Sequence, residues 1–331
     1  MNIWMKEALR EAAKGLGDTS PNPAVGAVIV SRGIILARGH HRNYGGPHAE
    51  IDAMAGVSDQ RLLRKSTMIV TLEPCNHFGK TPPCTEAIVR AGIRRVIVGI
   101  QDPHRIVAGK GIRRLRAAGI RVDLLDDPNV QAFYEPYRLF HAQKRCFVTL
   151  KLAISTDGKL AASNSSAWIT GPKARQEVQK IRRRVDAILV GRGTAVADNP
   201  RLTLRPPYRA GRKRMPIRLI LSSGGALPPR LRLLRDHSAP TWIVAGPLEK
   251  LTRKLAARGI VHLLVEGGAK TADSFLQSDL VDEILLFVSP KILGHNALDA
   301  FGPAPKHARD WQLINIQKFG KDIRLQFRPK K

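Results

Sequence analysis

His48-Ala49-Glu50 and Glu73-Pro74-Cys75-Asn76-His77-Phe78-Gly79-Lys80-Thr81-Pro82-Pro83-Cys84 are the stretches on which the reading of this chain turns. They bring together one imidazole and two thiols, each at a predicted strand end or helix start, where the positive end of a helix dipole favours thiolate. Cysteine sulfur and histidine nitrogen are the usual ligands of zinc, and three protein ligands leave the fourth tetrahedral position to water, the layout of a catalytic site. Two thiolates and a neutral imidazole cancel the charge of the dication, so water is activated less strongly than beside three imidazoles. A separate base is then useful, and Glu50 stands two residues from His48. Taken singly, each of these residues reads as an ordinary core histidine or buried cysteine; the combination argues for a metal site.

Working outward, strands and helices alternate. Lys6 to Lys14 has the spacing of a one-faced helix, Ala24 to Val30 reads as a buried strand, and Gly33 to Gly39 as its hairpin partner. A helix is expected from His48 to Ala55, a β-branched strand over Thr67 to Leu72, a helix over Thr85 to Ala91 and a strand over Arg95 to Ile100. Lys110 to Ala118 reads as a helix, Ile120 to Leu124 as a short strand and Gln131 to Gln143 as helical. The pattern shifts there, which places a domain boundary near Lys144 and divides the chain into 1–144 and 145–331. A second series follows, with strands near 147–154, 187–191, 217–222, 241–245, 261–265 and 283–288, and a helix over Pro172 to Arg184 with a first-turn proline. Another helix is expected near Thr271 to Leu276. Strands alternating with helices imply α/β sheets with helices on their faces. The halves show no internal repeat, so two different domains are expected.

The 331 residues are enough for two cores. No stretch approaches the ~20 apolar residues that span a bilayer, and the N-terminus lacks a basic-then-apolar signal pattern. Three cysteines make no disulfide framework in a chain of this length. Together these point to a cytoplasmic protein, with no membrane partner. The net charge of +28 raises the question of nucleic acid. The basic residues are spread along both halves and aromatic residues are 5% of the chain, too few for a stacking platform, so no specific nucleic-acid partner is expected.

Zinc-dependent nucleobase deaminases carry H-x-E followed by P-C-x-x-C; here Asn76 through Pro83 lengthen the loop between the cysteines. With Pro21-Asn22-Pro23-x-Val25-Gly26, this longer loop resembles the bifunctional riboflavin-biosynthesis deaminase/reductase family. The resemblance continues through Lys151-Leu152-Ala153, Ser155-x-Asp157-Gly158, Trp168-Ile169-Thr170, Gly193-Thr194, Ala197-Asp198-Asn199-Pro200-x-Leu202-Thr203-x-Arg205, Val265-Glu266-Gly267-Gly268 and Pro290-Lys291-x-Leu293-Gly294. It implies an N-terminal cytidine-deaminase-like domain that hydrolyses an amino group from 2,5-diamino-6-(5-phosphoribosylamino)pyrimidin-4-one. It also implies a C-terminal domain, similar to dihydrofolate reductase, that uses NADPH to reduce the ribosyl group to ribityl. The partners would be phosphorylated pyrimidines, and the sequence leaves room for a homo-oligomer.

By the same resemblance His48, Cys75 and Cys84 would hold Zn2+ and Glu50 would move protons. Asn22, His41 and Lys80 would meet the deaminase substrate. Ser166, Arg182, Leu202, Arg205 and Glu266 would hold the reductase substrate, with guanidinium a natural phosphate partner. Ala153, Trp168, Thr194, Asp198 and Ser223 would line the NADPH groove. Gly268, Ala269, Lys270, Thr271, Ala272, Asp273 and Ser274 would form a cofactor-phosphate loop at a helix N-terminus. The chain departs from the family pattern at Asn199, Ala167, Ser222 and His104, positions that bear on the reductase more than on the deaminase. Two other readings share some of these features: a deaminase of RNA nucleobases, and a non-enzymatic binding protein on the same scaffold. The cysteine loop and the second-domain pattern speak against the first, and the intact His48, Glu50, Cys75 and Cys84 against the second.

Overall fold

A computed structural model describes residues 2–79, 82–105, 107–161, 168–212, 214–302 and 310–330. It divides into two compact units, Met1–Lys144 and Arg145–Lys331.

The first unit runs α1 (Ile3–Gly15), β1 (Gly26–Ser31), β2 (Ile34–His40), α2 (Ala49–Ala55), a 3-10 turn (Gln60–Lys65), β3 (Thr67–Leu72), α3 (Cys84–Arg90), β4 (Arg95–Ile100), α4 (Lys110–Ala117), β5 (Arg121–Leu124), α5 (Pro128–Phe133) and α6 (Glu135–Gln143). The sheet order is β2-β1-β3-β4-β5. β1 is antiparallel to β2 and β3, whereas β3, β4 and β5 run parallel. Alternate residues of β1 and β3 serve two cores. Ala27, Ile29, Met68 and Val70 pack with Ala53, Ile88 and Leu115, beneath α2, α3 and α4. Val28, Val30 and Ile69 pack with Met5, Ala8, Val130 and Tyr137, beneath α1, α5 and α6. Strands covered on both faces read as continuous apolar runs, which is the pattern of these segments. Gly39 lets α2 lie directly on β2: a Cβ there would stand 2.2 Å from the Ala53 nitrogen.

The expected helix over Gln131 to Gln143 is two helices. Pro136 falls in the first turn of α6, where its missing N–H is harmless, whereas inside a continuous helix it would break the hydrogen-bond ladder.

The second unit comprises β6 (Phe147–Ser155), β7 (Lys159–Ala161), α7 (Pro172–Arg184), β8 (Ala187–Gly191), α8 (Arg192–Asp198), β9 (Ile217–Leu221), α9 (Arg232–Arg235), β10 (Thr241–Val244), α10 (Leu248–Ala257), β11 (His262–Val265), α11 (Ala269–Gln277), β12 (Glu283–Ser289), β13 (Leu298–Asp299), β14 (Trp311–Phe319) and β15 (Asp322–Pro329). Its large sheet has the order β10-β9-β8-β11-β6-β12-β15-β14. The strands from β10 to β12 are parallel, and β15 and β14 add antiparallel. The β14–β15 hairpin lies beyond the last strand expected from sequence. Most of β14 is exposed, and its register shifts between Leu313 and Asn315, so period-two alternation is broken where the eye looks for it.

Arg145 opens this unit with a paired contact to Asp282, both bonds 2.7 Å long and both side chains largely buried. Asp282 also accepts the Val148 N–H at 2.8 Å, tying the start of β6 to the approach to β12. Asp282→Ala leaves the guanidinium buried without its acid, so it should destabilise this unit by about 3–5 kcal/mol. Denaturant unfolding followed by Trp fluorescence checks this; a loss below ~1 kcal/mol would show the pair to be ornamental.

Candidate functional site

At the carboxyl end of β3 the chain turns through Pro74, and three donors meet. His48 caps α2, Cys84 opens α3 and Cys75 lies between. Among the described residues, His48, Cys75 and Cys84 are the set of three His, Cys or carboxylate groups able to hold a metal, with ligand atoms all within 4.8 Å of one another. Nδ1 of His48 faces both sulfurs, 3.2 Å from Cys84 and 3.5 Å from Cys75. The Cys84 N–H points at the Cys75 sulfur, 3.4 Å away. The hydrogen bond from the Cys84 thiol, aided by His48 and that N–H, holds the Cys75 thiol down at about 4 despite its burial. Cys84 moves up, because it keeps the shared proton and is buried. Two sulfurs sharing a proton beside an imidazole fit a borderline-soft dication such as zinc, which displaces that proton on binding.

Glu50, one residue into α2, is 3% exposed. Burial pushes its carboxyl up to about 7. His41 is also buried, its ring edge-on to His48 with centroids 5.2 Å apart. Its Nδ1 lies 2.9 Å from the Pro47 carbonyl, which accepts the proton and leaves Nε2 to face the Asn22 amide nitrogen at 3.5 Å. Burial lowers the His41 pKa. The Asn22–His41 pair therefore presents a neutral ring and an amide beside the donor set. Lys80 lies outside the described residues.

Sequence reasoning missed Glu73. This buried carboxylate accepts backbone N–H groups from Asp102, Gly109 and Ile112 at 3.2, 2.8 and 3.1 Å. It fastens the loop after β4 to the residue that precedes Pro74-Cys75. A Cβ on Gly111 would lie 1.9 Å from the Pro74 carbonyl oxygen, so α4 packs directly on that turn. The available signal was a carboxyl at the end of an apolar strand, which seldom stays buried unless donors converge on it.

In the second unit Glu266 follows β11, its own N–H held by the Leu189 carbonyl at 2.9 Å. Arg182 of α7 meets it with two bonds, 2.7 and 2.9 Å. Lys151, on central β6, lies 5.8 Å from the centre of the Phe287 ring, and its charge is felt by both Glu266 and Arg182. Burial pulls the Lys151 pKa down. Gly268 caps α11 and donates its N–H to Thr194 of α8 at 3.0 Å. A Cβ on Gly267 would fall 2.5 Å from that of Thr271, so the turn closes tightly and presents the first N–H groups of α11 as an anion cradle. That cradle suits a cofactor phosphate.

Residues 146–325 match the family described as RibD C-terminal domain, and residues 2–100 match the cytidine and deoxycytidylate deaminase zinc-binding region. The riboflavin biosynthesis protein RibD of Haemophilus influenzae is 38% identical over 99% of this chain and 97% of its own. That of Escherichia coli is 35% identical over 97% of each. The chain belongs to the RibD family. Its structure is like that of the Thermotoga maritima diaminohydroxyphosphoribosylaminopyrimidine deaminase/5-amino-6-(5-phosphoribosylamino)uracil reductase, with a TM-score of 0.90 and 36% identity over 99% of this chain and 98% of that one. Acinetobacter baumannii RibD gives a TM-score of 0.88 with 34% identity over 99% and 98%. The protein is thus a bifunctional deaminase and reductase of riboflavin biosynthesis, with zinc and NADPH as its cofactors. No described helix is long and apolar enough to cross a membrane.

The remaining residues expected from sequence scatter in role. Thr194 and Asp198 share α8, Asp198 exposed and its carboxyl raised by partial burial. Leu202 is buried with a left-handed backbone. The Arg205 N–H is held by Gln179 at 2.9 Å while its side chain is exposed. Within the expected phosphate loop the side chains of Thr271 and Ala272 are buried, Asp273 accepts the Gly302 N–H at 2.9 Å, and Ser274 bonds back to the Lys270 carbonyl. Ala269 and Lys270 open the helix. Ala153 is half-buried on β6, and Trp168 and Ser223 are exposed, Trp168 with the Arg175 guanidinium 5.0 Å over its ring. Ser166 lies outside the described residues. Sequence reasoning also missed Lys151; its signal is that it is the one charged residue of β6.

Burial alone would raise the Glu266 carboxyl, but the charge and paired bonds of Arg182 outweigh it and hold the group below its ordinary value. Its contribution to stability is therefore complete above the unfolded carboxyl value of 4.5 and is lost as pH falls through the lower folded value. Glu266→Gln should cost about 3–5 kcal/mol near neutrality, with much of that recovered in the Arg182→Met, Glu266→Gln double variant. Unfolding titrations across acid pH check both points: the single variant should lose less of its stability on acidification than the parent.

Proposed function

We propose that Glu50 is the proton carrier of the deaminase and that His48, Cys75 and Cys84 are the zinc ligands. The substrate we assign is 2,5-diamino-6-(5-phosphoribosylamino)pyrimidin-4-one, converted to 5-amino-6-(5-phosphoribosylamino)uracil. The observation that carries this reading is the buried Glu50 carboxyl beside the three convergent donors. Zinc, when bound, supplies the positive charge that makes water a nucleophile near neutrality. Glu50 takes a proton from the attacking water, passes it to the ring nitrogen, and delivers the next to the leaving ammonia. Asn22 and His41 hold the pyrimidine edge, and Lys80 meets the phosphate.

The same reading gives the reductase to residues 145–331. NADPH seats its phosphates on the N-terminal half of α11 and its cap, from Gly268 to Ser274, with Ala153, Trp168, Thr194, Asp198 and Ser223 along the groove. Arg182, Leu202, Arg205, Ser166 and Glu266 bind the ribosyl substrate. Lys151 is added to this group, because its side chain stands beside Glu266 and Arg182 and can donate to the sugar oxygen as hydride arrives. Both reactions are placed in the cytoplasm.

Two experiments test these assignments. Cys84→Ser should lose most of the zinc found by metal analysis, whereas Glu50→Gln should keep it and slow deamination by about 10²–10⁴-fold. Near-normal turnover by Glu50→Gln would remove its role. A folded fragment from residue 145 onward should bind NADPH and reduce the deaminated intermediate; a folded fragment that does not bind NADPH would refute the division of labour.

A further inference from the structure

Two motifs have no part in the sites above: Ser155-x-Asp157-Gly158 at the end of β6, and Pro290-Lys291-x-Leu293-Gly294 just after β12. The two strands are parallel neighbours, with Ser155 opposite Ser289. Asp157 ties the motifs together. Its carboxylate accepts the Ser155 hydroxyl at 2.5 Å, the Leu293 N–H at 3.1 Å and the Gly294 N–H at 2.8 Å. The Ser155 bond, helped by those two N–H groups, holds the Asp157 carboxyl down at about 2, so this clamp is ionised near neutrality. Thr156 adds two stitches: its N–H donates to the Lys291 carbonyl at 2.8 Å, and its hydroxyl to the Ser289 carbonyl at 3.0 Å.

The loop held in this way carries Lys291, whose Nζ donates to the Trp168 carbonyl at 2.7 Å. Trp168 is anchored from its other side as well. Arg175 of α7 sets its guanidinium 5.0 Å over the indole and donates to the Thr170 carbonyl at 2.6 Å. The Gly171 N–H donates to the Asp322 carboxylate at 2.7 Å. Yet the indole itself is 62% exposed. A large aromatic ring left in water, with its backbone pinned and a cation over the ring, is a flat surface prepared for another planar ring to stack on.

We infer that Asp157, Lys291 and Arg175 are positioning residues of the reductase. Asp157 fixes the loop after β12, Lys291 on that loop fixes the Trp168 backbone, and Arg175 sets the tilt of the indole on which a planar ring of NADPH stacks. The inference rests on the assignment of Trp168 to the cofactor groove. Ordering the ring beforehand removes a conformational cost that binding would otherwise carry, so these residues act on NADPH affinity and not on the hydride step.

The test is a double-mutant cycle on the full chain, read as the NADPH Kd by fluorescence titration and as KM against kcat for the reductase. Trp168→Ala should weaken NADPH binding. Lys291→Met should raise the Kd and KM for NADPH roughly three- to thirtyfold, the range of one hydrogen bond from a charged donor, with kcat at saturating NADPH near the parental value. Lys291→Arg should recover most of the loss, and Asp157→Asn should shift the Kd in the same direction as Lys291→Met. In the Trp168→Ala background Lys291→Met should cost nothing further, because no ring is left to aim. Unchanged affinity in Lys291→Met, with Trp168→Ala impaired, would overturn the inference alone. Unchanged affinity in Trp168→Ala would overturn it together with the placement of Trp168 in the groove. An equal loss from Lys291→Met with and without the indole would make Lys291 merely structural and overturn it too. Should Lys291→Met fail to fold, the same cycle is run with Arg175→Met, where no loss, or a loss that persists without the indole, would overturn the inference.

Discussion

A carboxylate removed from water must find donors or a cation, because the desolvation cost is several kcal/mol per ion, and both units are shaped by how they meet that demand. In the first, Glu73 draws in three backbone N–H groups and so binds the loop after β4 to the turn that carries Cys75. In the second, Glu266 takes both arms of the Arg182 guanidinium, and Asp282 takes both arms of Arg145. Glu50 is the contrast. Among the described residues no salt bridge reaches it, burial raises it to about 7 although the charge of His48 pulls the other way, and it is left able to hold or release a proton beside the donor set.

These contacts explain how each site is kept in register. His48 and Cys84 are placed by the starts of helices that rest on a sheet core, and Cys75 by a strand end clamped through Glu73 and Gly111. A proton carrier acts only within hydrogen-bond reach of its substrate, so rigidity in the turn that carries Cys75 belongs to the chemistry. In the reductase unit the Gly267-Gly268 turn does comparable work, closing on Thr271 and bonding to Thr194.

Much of this was legible in the amino acids. The double-sided apolar runs at Thr67 to Leu72 and Arg95 to Ile100 became β3 and β4 within a residue of the reading, and the His, Glu and Cys spacing marked the residues that converge. What escaped had physical causes. Pro136 split a helix whose hydrophobic pattern ran on unbroken. In the β14–β15 hairpin β14 is mostly exposed and the register is irregular, so it lacks the alternation by which strands are found. Glu73 and Lys151 act through partners distant in sequence, and no local pattern reports those. The depth of Leu202, whose side chain is buried, was likewise not announced by its neighbours in sequence.

The measurement that bears most directly on the two-step account is a single incubation with the diaminopyrimidinone ribosyl phosphate in heavy-oxygen water, with and without deuterium-labelled NADPH, followed by mass spectrometry. Hydrolytic deamination followed by hydride transfer predicts one solvent oxygen in the product of either incubation, and one deuterium only where NADPH is present. A deaminated product without solvent oxygen, or no deuterium transferred from labelled NADPH, would contradict it.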